Sequence, residues 1–215
     1  MRKMIKVVLF DIDGVLLDSL EGNTRFLEDL IVSFGYKKPP REKLLKTFYM
    51  SMFDAIKLLT NETDDRVKEI WDRGHTFQYP LELVKVPEHT VEVVNQLKRS
   101  YKVGIVTSRI KARMDKVFAA TKMTGLFKII VTYEDTKKHK PHPEPLLLAA
   151  KKLNAKPSDA VYIGDSEYDL AAARSAGMKF IFYSKKRMKG ADARLEAFKE
   201  IPGAIEQINK QKQKD

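Results

Sequence analysis

Two aspartates one residue apart, Asp11 and Asp13, close the apolar run Val7-Val8-Leu9-Phe10 and are followed at once by Gly14. Carboxylates at that spacing can converge on one small site if the chain turns sharply behind them, and glycine permits the turn. Such a pair suits a nucleophile beside an acid/base, or two oxygen ligands for a hard cation. A lone D-x-D is equally a strand end with solvated acids, so the other segments carry weight. Thr107-Ser108-Arg109 follows Val103-Gly104-Ile105-Val106 and offers a hydroxyl and backbone N–H groups leading into a helix N-terminus, which favours anions. Lys138-His139-Lys140-Pro141-His142-Pro143 holds Lys140 in a loop stiffened by two prolines. A fixed lysine can neutralise both a nucleophilic carboxylate and a phosphoryl group. Gly164-Asp165-Ser166-Glu167-Tyr168-Asp169 sets two acids four apart at a helix start, where both can face one side and the helix dipole stabilises them. Each segment alone has an ordinary explanation: a threonine N-cap, a solvated lysine, acids in a first helical turn. Their conjunction points to phosphate chemistry. His139 and His142 are expected at the surface rather than on a metal.

The elements that must position these groups alternate. Val7–Phe10 is expected as a strand buried on both faces, because its apolar run is continuous and rich in β-branched residues. Residues 103–107, 129–132, 160–164 and 180–183 predict further strands, the last of these being the final clear one. Helices around Val91, Val94 and Leu97, around Met114 and Val117, from Pro143 or Glu144 through Leu153, and through Ala171 to Ala176 lie between or after them. Strands alternating with helices imply an α/β, doubly wound, mostly parallel, Rossmann-like sheet. All four polar segments then fall at or just beyond strand C-terminal ends, where open α/β sheets bind ligands. Residues 18–84 break the alternation. Asp18 with Glu21 can cap a helix carrying Phe26, Leu27, Leu30 and Ile31, ended by Gly35. Helices with Leu44 and Phe48, with Phe53 and Ile56, and with Val67, Ile70 and Trp71 follow. The expected organisation is a core of residues 1–17 and 85–215 with an inserted helical domain at 18–84. Leu195, Phe198 and Ile201 predict a short docking helix, and Lys210 to Asp215 a frayed end.

The chain has 215 residues, 43% of them hydrophobic, enough for a full core with an insert. It has no cysteine, which excludes disulfides, thiolate zinc sites and a cysteine nucleophile. No apolar run reaches membrane-spanning length and the N-terminus does not resemble a signal peptide, so a cytoplasmic protein is expected. The net charge of +11 invites a nucleic-acid reading. The basic residues are scattered among acids without stacking aromatics, which argues against nucleic acid and for attraction of small anions.

In order and spacing the four segments resemble the motifs of haloacid dehalogenase-like hydrolases. These are the D-x-D-G of Asp11 to Gly14, the strand ending at Thr107, the K-P-x-P of Lys140 to Pro143, and the G-D-x-x-x-D of Gly164 to Asp169. The last two most resemble the phosphoglycolate-phosphatase-like and β-phosphoglucomutase-like branch. The resemblance implies that residues 18–84 are a mobile cap. It implies Mg²⁺ held by Asp11, Asp13 and Asp165 with Asp169 beside it, Asp11 as nucleophile, and Asp13 as acid/base. Gly14, Thr107, Ser108, Arg109 and Lys140 would bind the phosphate. The substrate would be a small anionic phosphorylated metabolite, such as phosphoglycolate, a sugar phosphate, a nucleotide or pyrophosphate.

Asp13 argues against dehalogenation, because a departing halide needs no proton. A phosphotransferase or mutase would use the same residues, and a catalytically idle binding protein would keep the fold. Arg25, Arg41, Tyr49, His75 and Arg109 are candidate substrate contacts, each with surface exposure as its ordinary alternative. A monomer and a homodimer fit equally.

Overall fold

The computed structural model describes residues 4–211. Its sheet has six strands, all parallel, in the order β3-β2-β1-β4-β5-β6. In chain order these are β1 (Val7–Phe10), β2 (Lys102–Val106), β3 (Ile129–Val131), β4 (Ala160–Gly164), β5 (Lys179–Tyr183) and β6 (Ala193–Leu195). The first four helices follow β1: α1 (Leu20–Ser33), α2 (Arg41–Lys46), α3 (Met52–Thr60) and α4 (Asp64–Gly74). The others are α5 (Thr90–Leu97), α6 (Met114–Ala120), α7 (Glu144–Lys152), α8 (Glu167–Ser175) and α9 (Ile201–Gln211). Among the described residues no helix is long and apolar enough to cross a membrane.

Strand β1 lies inside the sheet, so its alternate side chains are all buried. Val8 and Phe10 join the cluster built with α5, α6 and α9, while Val7 and Leu9 join the cluster under α7 and α8. Register then sets the site. Phe10 pairs with Ile105 on one side and with Ile163 on the other, so the residues after these strands emerge at one rim. That rim lies where the chain, having run outward through β2 and β3, reverses to β4 on the other side of β1.

Helices α1 to α4 share a separate apolar cluster that includes Phe26, Leu30, Ile56 and Ile70. The chain enters and leaves this region side by side: the Asp18 and Lys85 amides donate to each other's carbonyls at 2.9 and 3.0 Å.

Four expectations are corrected. Asp18 does not cap α1, whose N-cap is Ser19; Asp18 is drawn instead into the pairing with Lys85. The C-terminal segment forms a sixth strand containing Leu195, a 3-10 turn at Phe198–Glu200, and α9 from Ile201. A three-residue strand is too short to show alternation in sequence. The expected fraying falls partly within α9, which runs through Gln211; residues 212–215 lie outside the described residues. Finally, the helix after Thr107 starts late, with a 3-10 turn at Lys111–Arg113 before α6, so Thr107 caps no helix.

Candidate active site

Asp11 follows β1 directly, with its amide donating to the Ile163 carbonyl at 2.9 Å. The chain then turns tightly. Gly14 has φ +79°, and its amide donates to the Leu17 carbonyl at 2.8 Å. A side chain at position 14 would also collide with Asp165, whose Oδ2 lies 1.9 Å from where a Cβ would stand. Gly14 is therefore required twice, for its backbone conformation and for the approach of Asp165.

Lys140 reaches the rim from the loop before α7. Its Nζ sits 3.0 Å from Asp11 Oδ2, and it donates to Asp169 Oδ1 at 2.7 Å and to the Tyr162 hydroxyl at 3.0 Å. The ammonium's three protons thus have three acceptors, which fixes it without rotational freedom. Asp169 is fully buried, and its second oxygen accepts from the Ser166 amide and hydroxyl in a capping box that opens α8. Capping and function coincide here: the helix start orients the carboxylate that orients the lysine. Tyr162, buried in the middle of β4, lies 3.0 Å from the Val106 carbonyl and 3.2 Å from Asp169 Oδ1.

Asp13 is held differently. Arg109 Nε donates to both of its oxygens and Nη2 to Oδ1 at 2.7 Å, while Ser19 and Asn23 donate to Oδ1 as well. The same guanidinium donates to Asn23 Oδ1 at 3.0 Å and to the Tyr79 hydroxyl at 2.8 Å. Its Nη1 is buried with no hydrogen-bond partner among the described residues.

One oxygen each of Asp11, Asp165 and Asp169 lie within 4.8 Å of one another, a spacing that hard oxygen-liganded cations use. Burial, reinforced by Asp169 and Asp13 and opposed by Lys140, pushes the Asp11 carboxyl up to about 7. Burial, then Asp169 and Asp11, push Asp165 well above the usual carboxylate range. Burial would raise Asp13 too, but the Arg109 charge and hydrogen bonds from Arg109, Ser19 and Asn23 hold it below that range. Four carboxyl groups face two cations, Lys140 and Arg109, so ionising all four would leave two negative charges in excess, which is what the raised Asp11 and Asp165 resist.

The comparisons with known proteins agree with this fold. The family model for haloacid dehalogenase-like hydrolases matches residues 8–183. The chain belongs to the haloacid dehalogenase-like hydrolases. The protein named Pyrophosphatase PpaX from Bacillus cereus is 33% identical over 197 residues, covering 91% of this chain and 89% of that one. A HAD-superfamily hydrolase of subfamily IA from Geobacter sulfurreducens superposes with TM-score 0.73 at 28% identity, over 93% of this chain and 98% of that one. CbbY from Rhodobacter sphaeroides shares the fold, with TM-score 0.81 at 19% identity over 94% of this chain and the whole of that one.

In this hydrolase a single cavity gathers Asp11, Asp13, Ser108, Arg109, Lys140 and Asp165. Thr107 lies behind it, buried, and its hydroxyl accepts from the Arg109 amide at 3.1 Å. Asp169 stands behind Lys140, and Gly14 behind Asp165.

Of the candidate substrate contacts, Tyr49 and Arg109 line the cavity. Arg25 and Arg41 pair on the surface with Asp29 and Glu21. His75 turns its Nδ1 to the Trp71 carbonyl and its ring edge to the indole. His139 stacks on Tyr133 at 3.7 Å, and His142 Nδ1 accepts from the Glu144 amide.

Sequence reasoning missed Tyr162, Ser19, Asn23 and Tyr79 as members of the site. Tyr162 had a signal, a phenol in an otherwise aliphatic buried strand. Asn23 falls four residues after Ser19, which on α1 is one face. Tyr79 had none.

Proposed function

We propose that the hydrolase is a Mg²⁺-dependent phosphatase that cleaves a small phosphomonoester through an aspartyl-phosphate on Asp11. The observation that carries this is the buried Asp11 carboxylate with the Lys140 ammonium fixed 3.0 Å away. A carboxylate so placed is oriented to attack, and the lysine beside it neutralises the oxygens of an incoming phosphoryl group.

The residues fit a divalent cation. The clustered oxygens are hard donors, and the two negative charges left over when all four carboxyls ionise would match the charge of the ion. Asp11, Asp165 and the backbone of Asp13 would hold Mg²⁺, with Asp169, both of whose oxygens are already engaged, adjoining it. When bound, the ion supplies neutralisation of the phosphoryl oxygens and orientation of the phosphorus toward Asp11.

In the first half-reaction Asp13, which Arg109 holds as the anion at rest, takes up one proton from solvent as substrate binds and passes it to the leaving ester oxygen while an Asp11 oxygen forms its bond to phosphorus. In the second, Asp13 removes a proton from a water whose oxygen attacks phosphorus, releasing inorganic phosphate and restoring Asp11. Ser108 and Lys140 bind the transferring oxygens, and Arg109 orients Asp13. Helices α1 to α4, within the proposed insert of residues 18–84, act as a cap over this site, and the Asp18–Lys85 pairing marks its hinge. A phosphotransferase would share the first half-reaction and differ in what accepts the phosphoryl group. Mg²⁺-stimulated release of inorganic phosphate from a panel of phosphate esters tests the reading, with Asp11→Asn as blank. Transfer to a second hydroxyl without phosphate release would replace it.

A further inference from the structure

The part of the cavity wall contributed by α1, α3 and the α2–α3 turn carries no charged side chain among the described residues. Its apolar members include Phe26, Leu27, Phe48, Met50 and Met52. Phe26 and Leu27 are 2% and 6% exposed and belong to the apolar cluster of the four helices, so the cavity opens onto that cluster. Four polar side chains share this wall, and three are spent within the protein. Thr24 Oγ1 donates to the Leu20 and Glu21 carbonyls, and Thr47 Oγ1 donates to the Leu44 carbonyl at 2.7 Å. Asn23 is occupied by Asp13, Tyr79 and Arg109. The Tyr49 hydroxyl is the group left over, with no hydrogen bond among the described residues. The cations of the cavity, Lys140 and Arg109, come from loops at the sheet rim and are already paired with carboxylates, Arg109 Nη1 alone lacking a hydrogen-bond partner among the described residues; neither belongs to this wall.

This wall discriminates by what it lacks. A leaving group bearing a carboxylate or a second phosphoryl would lose water against it and gain no counter-charge. A polyol would lose several hydrogen bonds and recover one at Tyr49. A carbon-rich group gains by burial, and two methionines let the wall adapt to its shape.

We propose that the substrate is the monophosphate of an uncharged alcohol whose leaving group presents an apolar face, about the size of one aromatic ring, to Phe48, Met50 and Met52. This rests on the phosphatase reading above and adds the class of leaving group to it. It also separates this chain from a hydrolase built for pyrophosphate.

The test is steady-state phosphate release, with Mg²⁺, from benzyl phosphate, glycerol phosphate, phosphoglycolate and pyrophosphate, on the full chain and on Phe48→Ser. The first three leaving groups are of comparable basicity, so their ranking reports contacts rather than intrinsic reactivity. Benzyl phosphate is expected to show kcat/KM about tenfold or more above glycerol phosphate and phosphoglycolate, the order that one apolar pocket contributes to selectivity. Phe48→Ser is expected to remove most of that margin through KM for benzyl phosphate. Glycerol phosphate turnover and inhibition by inorganic phosphate should stay within about twofold, since neither uses the apolar face. Phosphoglycolate, glycerol phosphate or pyrophosphate turned over as well as benzyl phosphate overturns the inference and leaves the phosphatase reading standing. Equal losses on every substrate in Phe48→Ser, with weakened phosphate inhibition, overturn the role given to Phe48. No phosphate release from any compound overturns the phosphatase reading itself.

Discussion

The guanidinium of Arg109 and the carboxylate of Asp13, 96 positions apart in the chain, form a buried ion pair at 2.7 Å. Arg109 also bonds Asn23 on α1 and Tyr79 on the segment that returns from α4, so one side chain ties both legs of the proposed insert to the proposed acid/base. In this pairing Asp13 is held as the anion, the form that accepts a proton.

Arg109→Ala should destabilise the protein by about 2–4 kcal/mol at pH 7, because removing one partner leaves a buried carboxylate uncompensated. The sign with pH follows from Asp13 being held below its ordinary 3.8. That stabilisation is present above pH 3.8 and is lost as pH falls through the lower folded value. The deficit of the variant should therefore be full at neutral pH and shrink toward pH 3, as thermal melts across pH would record. A deficit that grows on acidification contradicts the pairing.

Asp11→Asn should lower phosphate release by about 10³-fold or more, since the nucleophile is gone while binding groups remain. Acid-quenched wild-type enzyme should carry phosphate on Asp11, and the variant none. A variant of full activity ends the covalent scheme.

The same position predicts a metal-linked pH effect. Asp11 is raised from 3.8 to about 7 in the folded, metal-free protein, so the folded state binds its proton more tightly than the unfolded chain. Stability from this group is present below pH 3.8 and erodes as pH rises toward 7. In EDTA, the melting temperature of wild type relative to Asp11→Asn should fall between pH 4 and pH 7. Added Mg²⁺ should raise the wild-type value more at pH 8 than at pH 5, because the ion competes with protons.

Gly14→Ala should weaken Mg²⁺ binding about tenfold or more. The added methyl would stand 1.9 Å from Asp165 Oδ2 in a backbone with φ +79°, so either the turn or the carboxylate must move. Calorimetric titration with Mg²⁺ measures this without reference to turnover, and an unchanged affinity would remove Asp165 from the ligand set.

Tyr162→Phe takes one acceptor from Lys140 and leaves the Val106 carbonyl without this phenol. A loss of about 1–3 kcal/mol in stability is expected from the buried groups left unpaired. Phosphate release should slow through kcat, because Lys140 is no longer fixed on three sides.

Much of this was legible beforehand. The strand Val7–Phe10, the acids after it, the loop around Lys140 and the acids opening α8 announce themselves through local chemistry: continuous apolar runs, glycine, proline, and carboxylates at fixed spacing. The capping role of Asp169, the ordinary explanation for an acid in a first helical turn, is written into its spacing from Ser166, whereas its contact with Lys140 is not. Local patterns misjudged the segments whose partners are distant. Asp18 looked like a cap until Lys85 claimed it, and Leu195 looked helical until β5 offered a free edge.

The order of residues along the chain thus specified which groups are available and at which strand ends they stand. Folding alone decided their pairing: Lys140 on Asp11, Arg109 on Asp13, and an uncharged, apolar wall beside the site. The reason is physical. Propensity and periodicity act over a few residues and are written in sequence. Ion pairs and cavity walls join side chains many tens of positions apart, and they form once parallel register has brought the strand ends to one rim.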